Sequence, residues 1–423
     1  MNVFDELSWR GLIANSTDPQ ALSSALAGRL TFYVGFDPTA PSLHMGNLVQ
    51  LMVARRLQAA GHRPLLLVGG STGLIGDPKE SGERTMNPKE VVAEWVARIQ
   101  GQVSGLLDLD GDNPATPVNN LDWTGPMSVI DFLRDIGKHF PVNRMLARDV
   151  VRNRLEDGIS YSEFSYVLLQ SLDYLELFRR YDCTLQFGGS DQWGNITAGA
   201  ELIRRVTGER VHAMASPLLT KADGTKFGKT ESGTVWLDPG LTSPYAFHQF
   251  FLNAEDEKVI DYLKVFSPRG EDEIAQLAVE TAERPQARRA QRVLADDITT
   301  LVHSAAEAEA ANAAGQALFG RGDLSTMDET MLRNALTEVG LTEVGGPELP
   351  TVADALALSG VVASKSAGRR AVAEGGAYLN NERVTDADER LRPDQLLHGR
   401  YVVLRRGRKT VAGLRFETSA AGV

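Results

Sequence analysis

Apolar and polar positions change their periodicity several times along the chain, and each change predicts a different kind of element. Between residue 30 and about residue 215, short β-rich runs alternate with segments of helical spacing. The β-rich runs are LTFYVGF, RPLLLVGG, TPVNN and CTLQFGG, and VVAEWVARIQGQVSGLL is a typical helical segment. Strands separated by helices at this spacing form right-handed βαβ units. The pattern therefore predicts a doubly wound parallel sheet of the nucleotide-binding, Rossmann-like kind.

The pattern and composition of the sequence also predict the boundaries between domains. We predict that the α/β domain spans residues 1–240 and that a helical domain, rich in Ala, Glu and Arg, spans 241–337. Glycines, prolines and acids at 338–350 predict a linker. After the linker, the helical patterns VADALALSG and SKSAGRRAVAEGG precede the strand-like pieces AYLNN, YVVLRR and KTVAGLRF. Residues 351–423 are therefore predicted to form a small α+β module.

Composition narrows the class of protein. An apolar fraction of 43% and a charged fraction of 23% over 423 residues are typical of a globular protein with more than one core. The start, MNVFDELSWRGL, lacks a secretion signal and no run of 18 apolar residues occurs, so we expect a cytoplasmic protein that does not enter a membrane. One cysteine, Cys183, excludes an intramolecular disulfide and a cysteine-based zinc site. We expect Cys183 to be buried and no protein metal site to be present.

The net charge of −11 argues against a nucleic-acid partner, but the charge is unevenly distributed. Residues 361–423 carry 12 Lys+Arg against 7 Asp+Glu, whereas the preceding residues carry 32 against 48. On one predicted helix, Lys365 and Arg369 share a side, with Arg370 close to it. A solvated helix face has the same pattern. The excess positive charge of the whole module favours RNA binding.

Two glycine-rich loops carry candidate chemistry. The first, GFDPTAPSLHMGN, joins a predicted strand to a predicted helix, and its glycines and prolines alone would indicate a turn. A loop from a strand's carboxyl end into a helix also presents free N–H groups and a positive dipole end, which attract phosphate. His44 and Asn47 stand at that point, and Gly46 between them leaves room for a nucleotide against the backbone.

The second loop, SPLLTKADGTKFGKTESG, presents Lys221, Lys226 and Lys229 among glycines. Such a loop is often only solvated and mobile. It also lacks the GxxxxGK[ST] order of a P-loop. The presence of two loops that both suit phosphate would nevertheless be explained if both bound the same ligand.

These loops carry a family resemblance. His44-Met-Gly-Asn47 resembles the HIGH signature of class I aminoacyl-tRNA synthetases, and Lys226-Phe-Gly-Lys-Thr230 resembles their KMSKS signature. Together with GGSTGLIGDP, YVLLQSLDYLEL and LQFGGSDQWGNI, they are similar to bacterial tyrosyl-tRNA synthetases through the first 250 residues. The helical region and basic tail are similar to that family's anticodon-side domain and RNA-binding module. The resemblance implies a homodimer that uses L-tyrosine, ATP with Mg²⁺, and tRNA(Tyr).

The resemblance also implies a tyrosine site. Tyr33 and Asp173 would bind the phenol hydroxyl, and phenylalanine would leave both groups buried and unpaired. The remaining tyrosine-binding residues would be Asp77, Tyr166 and Gln170 for the amino group, and Gln192 for the carboxylate side. Tyr166, Gln170 and Asp173 recur at helical spacing, which is more often packing than chemistry. A polar stripe on an otherwise apolar helix is, however, seldom buried without a partner.

ATP would lie along the first loop and the GGSDQWGN segment. The implied ATP-binding residues are Gly35, Asp37, Thr39, His44, Gly46, Asn47, Gly189, Asp191, Lys226 and Lys229. Asp191 would bind the ribose hydroxyls. Either acid, Asp37 or Asp191, could instead be a helix N-cap, and for Asp191, directly before Gln-Trp-Gly-Asn, this alternative is a serious one.

The implied reaction needs no general base, because a carboxylate is already nucleophilic and pyrophosphate is a fair leaving group. Tyrosine would attack the α-phosphate, and the tRNA's terminal ribose would then take the tyrosyl group. Catalysis would come from alignment and from neutralising charge on the departing phosphates. The candidate catalytic residues are Thr39, His44, Asn47, Lys226, Lys229, Thr230 and Arg84. Magnesium would be held by the phosphates, without a dedicated protein cage.

Rival hypotheses and departures remain. One rival is a tryptophanyl-tRNA synthetase or another HIGH-type nucleotidyltransferase, against which the Tyr33 and Asp173 pair argues. Another is a non-catalytic RNA-binding protein, against which His44, Lys226 and Lys229 argue. Val34 offers no side-chain hydrogen bond to the ribose where some relatives have a cysteine. The basic residues of GDPKESGERT also differ in arrangement from those of relatives, which leaves the role of Lys79 open.

Overall fold

The computed structural model describes residues 2–78, 82, 86–230, 233–346 and 348–417. Compact packing divides the chain into two units, Met1–Leu241 with Glu255–Ala290, and Thr242–Ala254 with Gln291–Val423. The division into four stretches that composition indicates stays a prediction. Each unit has a β-sheet of its own.

The sheet of the first unit has six strands. In chain order they are β1 Asn15–Ser16, β2 Thr31–Phe36, β3 Arg63–Val68, β4 Thr116–Asn119, β5 Cys183–Gly189 and β6 His212–Ser216. Their order in the sheet is β1-β6-β5-β2-β3-β4, and all neighbours are parallel except β1, which runs antiparallel to β6. The doubly wound parallel sheet predicted from the sequence is confirmed. Cys183 is buried at the start of β5, also as predicted.

Helices connect and cover the strands. In chain order they are α1 Val3–Trp9, α2 Pro19–Leu26, α3 Met45–Ala59, α4 Thr72–Ile75, α5 Lys89–Ser104, α6 Leu121–Thr124, α7 Val129–Asp131, α8 Val142–Leu146, α9 Asp149–Arg152, α10 Tyr161–Tyr181, α11 Trp193–Thr207, α12 Pro244–Leu252, α13 Val259–Phe266, α14 Glu271–Glu283, α15 Arg289–Val302, α16 Ala305–Leu318, α17 Glu329–Val339, α18 Val352–Leu358 and α19 Lys365–Ala373. A π-helical turn spans Phe132–Ile136, and 3₁₀ turns span Gly137–His139, Ser190–Gln192, Pro285–Ala287, Leu324–Thr326 and Pro393–Gln395. No described helix is both long and apolar enough to cross a lipid bilayer.

The strand order determines where a ligand can bind. The chain passes from β2 through β3 to β4 on one side of the sheet, and then returns to build β5 and β6 on the other side of β2. The connections therefore diverge between β2 and β5. In open α/β sheets, ligands bind at the carboxyl ends of the strands at such a point.

The longest helix, α10, faces both the sheet and this point. Its N-terminus is capped by the Ser160 side chain, which accepts a hydrogen bond from the Glu163 N–H. Its apolar side, including Leu172 and Leu175, packs in one core with Leu65 and Val118 of the strands. Burial of such leucines stabilises the fold by about 1.5–3 kcal/mol each. The polar stripe of α10 is consequently held in a fixed position.

The second unit contains a five-stranded sheet between two helical layers. Its strands are β9 Leu341–Val344, β10 Ala377–Leu379, β11 Glu382–Arg383, β12 Tyr401–Arg406 and β13 Thr410–Phe416, in the order β11-β10-β12-β13-β9. Along β12, Val402 and Leu404 pack with α18 and α19, whereas Tyr401 and Val403 pack with α16 and α17. The stretch predicted as a linker thus contains β9, which pairs parallel to β13. Its LTEV sequence is largely exposed, so it carries no hydrophobic signal of a strand.

Candidate active site

A cleft of about 460 Å³ opens at the carboxyl ends of β2 and β5. Its walls also include the start of α3, the polar stripe of α10 and the loop after β6. Sixteen residues that the sequence implicated line it: Tyr33, Gly35, Asp37, Thr39, His44, Gly46, Asn47, Asp77, Tyr166, Gln170, Asp173, Gly189, Asp191, Gln192, Lys226 and Lys229. Segments far apart in the sequence therefore meet around one cavity.

A buried carboxylate lies in the wall of the cleft. Asp173 is fully buried on α10, and its two oxygens accept hydrogen bonds from Asn120 Nδ2 at 3.0 Å and Trp123 Nε1 at 2.8 Å. Burial raises the pKa of Asp173 to about 7, although the two hydrogen bonds act in the opposite direction. Asp173 is therefore held in a fixed orientation and is poised to change charge near neutral pH.

Several buried oxygens of the cleft have no hydrogen-bond partner in the described part of the chain. Tyr33 Oη, Gln170 Oε1 and Gln186 Oε1 have no hydrogen-bond partner among the described residues. Burial, and then the nearby Asp173, raise the pKa of Tyr33 well above its usual value, so its hydroxyl stays protonated. Buried polar atoms without partners are rare in folded proteins and call for an explanation. A polar ligand in the cleft supplies one.

Asp37, directly after β2, connects α10 to the GGSTG segment. Its carboxylate accepts hydrogen bonds from Tyr166 Oη and from Thr72 Oγ1, both at 2.6 Å. A Cβ on Gly69 would lie 2.3 Å from Asp37 Oδ1, so any other residue at that position would displace the Asp37 carboxylate. The sequence assigned Asp37 to ATP and Tyr166 to the amino group of tyrosine. The structure joins them directly.

A second network surrounds Asp77. Asp77 accepts hydrogen bonds from Gln192 Nε2 at 2.7 Å and from Asn195 Nδ2 at 3.2 Å. Asn195 also donates to Gln192 Oε1 at 3.0 Å and accepts a hydrogen bond from Arg148. The residues implied for the amino and carboxylate groups of tyrosine are therefore neighbours, and this network fixes their orientation.

His44 is the N-cap of α3. Its ring Nδ1 accepts a hydrogen bond from the Gly46 backbone N–H at 3.1 Å. The backbone N–H of His44 donates to Asn47 Oδ1, also at 3.1 Å. Burial of the ring among loop atoms, and to a smaller extent the charge of Lys229, lower the pKa of His44. A neutral imidazole whose Nδ1 accepts must carry its proton on Nε2. His44 is thus a neutral Nε2–H donor.

The missing side chain at Gly46 leaves room for the His44 ring that caps α3, before it leaves room for any nucleotide. A Cβ at position 46 would lie 3.0 Å from Cε1 of the His44 ring. The sequence interpretation reserved this space for a base or ribose. In the structure, the absence of a side chain at Gly46 first makes room for the imidazole.

The lysine loop, residues 219–230, lies against the start of α3. Thr220 and Lys226 form an antiparallel bridge within the loop. Gly228, at φ +88°, is so close to Met45 that a Cβ on Gly228 would lie 2.5 Å from Met45 Cβ. In the part of the chain that the structure describes, the ammonium groups of Lys226 and Lys229 are exposed and have no carboxylate partner. Both cations therefore remain available to a ligand.

Some implicated residues stand apart from the cleft. The Thr230 hydroxyl donates to the Gly233 carbonyl at 3.1 Å, which closes the hairpin of β7 Lys229–Thr230 and β8 Gly233–Thr234, and Thr230 does not line the cavity. Val34 is buried away from it. Arg84 and Lys79 lie outside the described residues.

The structure also decides between the two interpretations of Asp191. Helix α11 begins at Trp193, its N-cap is Gln192, and no side chain caps it. Asp191 is exposed and lines the cleft. The N-cap interpretation of Asp191 is therefore wrong.

Sequence reasoning missed the residues that orient the implicated ones. Asn120 and Trp123 hold Asp173, Thr72 holds Asp37, Asn195 holds Asp77, and Gln186 places a buried amide in the cleft. A glutamine inside the strand CTLQFGG was one available signal, because a polar residue within an apolar strand needs a partner. The other four contacts join segments distant in sequence.

The basic helix of the second unit, α19, carries three cations, two of which pair with carboxylates. Lys365 pairs with Asp354 and Arg369 pairs with Asp388, at 2.8 Å and 2.7 Å. Arg370 is exposed and, among the described residues, has no carboxylate partner. Arg406 at the end of β12 and Arg408 and Lys409 in the following turn are also exposed and have no carboxylate partner among the described residues. The RRGRK run was a visible signal that sequence reasoning did not use.

Comparison with known proteins identifies the family. The family model described as tRNA synthetases class I (W and Y) matches residues 25–320, and that of the tyrosine–tRNA ligase SYY-like C-terminal domain matches residues 332–412. A tyrosine–tRNA ligase of Cutibacterium acnes is 63% identical over 414 residues, which are 98% of this chain and 99% of the relative. One of Kineococcus radiotolerans is 61% identical and covers 98% of each chain.

Solved structures agree with this result. A C-terminally truncated mitochondrial tyrosyl-tRNA synthetase of Aspergillus nidulans superposes with a TM-score of 0.68 at 30% identity, over 75% of this chain and 94% of that one. A tryptophanyl-tRNA synthetase of Encephalitozoon cuniculi reaches a TM-score of 0.54 at 11% identity over 78% and 89%, which shows a shared fold alone. The resemblance inferred from the sequence is confirmed: the chain belongs to the tyrosine–tRNA ligases, within the class I tRNA synthetases of the tryptophan and tyrosine group.

Proposed function

We propose that the cleft activates L-tyrosine with ATP and then passes the tyrosyl group to the 3′-terminal ribose of tRNA(Tyr). The tyrosine carboxylate attacks the α-phosphate of ATP, the bond from that phosphorus to the bridging oxygen breaks, and pyrophosphate leaves. A ribose hydroxyl of the tRNA then attacks the tyrosyl carbonyl and releases AMP. Membership of the tyrosine–tRNA ligases supports this reaction, and the geometry of the cleft supports the roles that follow.

The observation that carries the proposal is the arrangement at the buried end of the cleft. Tyr33 Oη, which has no described partner, and the oriented carboxylate of Asp173 line the same cavity. A phenol can accept a hydrogen bond from Tyr33 and donate one to Asp173. Phenylalanine would leave Tyr33 Oη buried without a partner and would deprive Asp173 of the bond from the phenol, at a cost of about 1–3 kcal/mol for each group. An indole N–H could satisfy Asp173 but would offer no acceptor to Tyr33.

The middle of the cleft suits the charged end of an amino acid. We assign the ammonium group to Asp77, Tyr166 and Gln170, and the carboxylate side to Gln192. Gln170 Oε1 is buried without a described partner, and the network around Asp77 keeps its carboxylate and Gln192 in fixed positions. An ammonium group would donate a hydrogen bond to Gln170 Oε1 and carries the charge opposite to that of the Asp77 carboxylate.

We place ATP across the outer half of the cleft. Its phosphates lie at the N-terminus of α3, where Asn47 and the neutral His44 Nε2–H meet the exposed ammonium groups of Lys226 and Lys229. The ribose lies near Asp191, and the remaining contacts come from Gly35, Asp37, Thr39, Gly46 and Gly189. Because charge grows on the leaving pyrophosphate, donors fixed there act most strongly in the transition state.

Magnesium enters with ATP as part of the substrate. Among the described residues, no cluster of three or more His, Cys, Asp or Glu side chains could hold a metal ion. The carboxylates of Asp37 and Asp77 accept hydrogen bonds from neighbouring side chains. This donor set suits an ion that is carried by phosphate oxygens.

An apolar surface supports a homodimer. Of the fifteen exposed large apolar side chains in the described residues, eight lie between residues 121 and 161. The most exposed are Val129, Ile130, Val142 and Tyr161, at 60–73%. Apolar surface concentrated in so short a segment marks an interaction site. We infer that a second copy of the chain covers this surface.

We further infer that the basic helix α19, with Lys365, Arg369 and Arg370, contacts tRNA.

The function is tested by amino-acid-dependent exchange of labelled pyrophosphate into ATP, with Mg²⁺ and without tRNA. We expect exchange with L-tyrosine and about 10³-fold lower kcat/KM with L-phenylalanine, which makes neither buried hydrogen bond. L-Tryptophan should also support far less exchange, because it offers Tyr33 no acceptor and has a different shape. Exchange supported equally by tryptophan would contradict the assignment of Tyr33 and Asp173.

A cytoplasmic location follows for an enzyme whose product is used by ribosomes, and it is tested by cell fractionation.

A further inference from the structure

The Tyr262 side chain of helix α13 contacts the lysine loop at two places. Tyr262 is buried, and its hydroxyl donates to the Thr220 carbonyl at 3.0 Å. The centroid of its ring lies 4.3 Å from that of Phe227. Thr220 is the bridge partner of Lys226, and Phe227 follows Lys226 in the chain. A single residue of α13 therefore contacts both sides of the loop beside Lys226.

Two further contacts attach the loop to the same region. The Ala222 N–H donates to Glu255 Oε2 at 2.9 Å, just before α13. The ring of Phe227 also lies 5.7 Å from that of Phe266 in the last turn of α13. The exposed tip of the loop is thus attached to a residue just before α13, and its apolar base is attached to α13 itself.

The carboxyl end of α13 is in turn fixed by two buried arginines. Arg10 donates to the carbonyls of Lys264 at 2.7 Å and Arg269 at 2.8 Å, and Arg56 donates to the carbonyl of Ser267 at 3.0 Å. Carbonyls at a helix end have no intrahelical donor, so these bonds replace water. Glu6 lies 2.9 Å from Arg10 and 3.6 Å from Arg56, which compensates their charge.

The bond from Arg56 to the Ser267 carbonyl connects helix α3, which begins beside His44, to the helix that contacts the lysine loop. Arg56 lies in the last turn of α3, whose N-cap is His44. One end of α3 therefore presents the imidazole, and the other end holds the helix on which the lysine loop rests. The contact between α3 and α13 therefore fixes the position of His44 relative to that of Lys226.

We propose that Tyr262 is a positioning residue for adenylate formation, acting through Lys226. This inference rests on the proposed function of the cleft. The Tyr262 hydroxyl keeps the Thr220 strand of the loop, and with it the Lys226 ammonium, at the distance from α3 that the leaving phosphates require. Because the lysine acts on charge that develops in the transition state, loss of this bond lowers kcat and leaves the KM for tyrosine nearly unchanged.

The test is steady-state pyrophosphate exchange with the full-length Tyr262→Phe variant, which keeps the ring against Phe227 and removes only the hydroxyl. We expect kcat to fall about 3- to 10-fold, the range of one lost hydrogen bond, with the KM for tyrosine within about twofold. Tyr401→Phe is the matched control, since it removes the hydroxyl of a buried tyrosine in the other compact unit. Its exchange rate should equal that of the unmodified chain.

A double substitution separates positioning from general structure. In a Lys226→Ala background, the further change Tyr262→Phe should have less than a twofold effect on kcat, because the group that it positions is gone. An unchanged kcat in Tyr262→Phe, or the same fold loss with and without Lys226, would overturn the inference. Absence of tyrosine-dependent exchange in the unmodified chain would instead refute the proposed function.

Discussion

Gly228 of the lysine loop rests directly on Met45, the first residue of α3. A Cβ on Gly228 would lie 2.5 Å from Met45 Cβ, which is closer than real Cβ contacts come. Met45 follows His44, and Gly228 precedes Lys229. This contact brings the imidazole and the ammonium group to one cleft, although the two loops are distant in sequence.

Substitution of Gly228 by alanine should therefore push the lysine loop away from α3. We expect Gly228→Ala to lower kcat for pyrophosphate exchange by about 10²-fold, the scale of a displaced transition-state donor. Gly224→Ala is the control, because Gly224 has a similar φ of +81° but open space around its Cβ position. Both variants carry about 1–2 kcal/mol of left-handed backbone strain. Equal loss of activity in the two would show that strain, and not the Met45 contact, is responsible.

His44 has two separable tasks, capping α3 and donating from Nε2. Asparagine at position 44 can still accept the Gly46 N–H but cannot reach the place of Nε2, whereas alanine loses both functions. We expect His44→Ala to lower the free energy of unfolding by about 1 kcal/mol and His44→Asn to leave it nearly unchanged. Both should lose a similar factor in kcat. Denaturant unfolding and exchange kinetics measure the two effects, and full activity in His44→Asn would rule out the Nε2 donor.

Tyrosine affinity should depend on pH through Asp173. The ionised carboxylate accepts the phenol proton in a much stronger hydrogen bond than the neutral acid does, and burial raises the pKa of this residue to about 7. Affinity should therefore be constant above about pH 7 and fall towards tenfold per pH unit below it. Equilibrium dialysis with L-tyrosine between pH 5.5 and 8 measures this, with Asp173→Asn expected to bind weakly at every pH. A flat profile in the unmodified chain would mean that Asp173 is ionised throughout or does not contact the ligand.

Arg370 should contribute to tRNA binding more than the paired cations do. An unpaired arginine that meets a phosphate releases about one counterion, so Arg370→Ala should reduce the salt slope of tRNA binding by about one. Arg390→Ala is the control, since Arg390 pairs with Glu348 at 2.9 Å in the same unit. Filter binding over a range of salt concentrations gives both slopes. An unaltered slope in Arg370→Ala would remove α19 from the tRNA interface.

The sequence predicted those parts of the fold that depend on local pattern. The strands β2, β3, β4 and β5 follow from apolar runs bounded by turn residues. In contrast, β6 reads HAMAS, with no β-branched or aromatic residue, and forms a strand because β5 pairs with it and most of it is buried. Pairing with a distant segment likewise produces β9 inside the stretch predicted as a linker. Such strands carry no local signal.

The same distinction applies to the site. Residues that line the cleft sit on motifs that a reader of the sequence can recognise, such as His44 or Asp173. The bonds that orient them, such as Trp123 to Asp173, join elements that only the folded sheet brings together. The opposite faces of β12 also pack on two different helical layers. This sharing of one strand between two cores could not be read from a pattern that predicts a separate module.

The central claim is that His44 and Lys229 act together on the triphosphate and not on the tRNA step. Single-turnover measurements on Lys229→Ala and His44→Asn separate the two half-reactions most directly. We expect adenylate formation to slow by about 10²-fold in each, with transfer from preformed tyrosyl-adenylate to tRNA changed by less than about threefold. Equal slowing of both steps, or normal adenylate formation in either variant, would contradict this account.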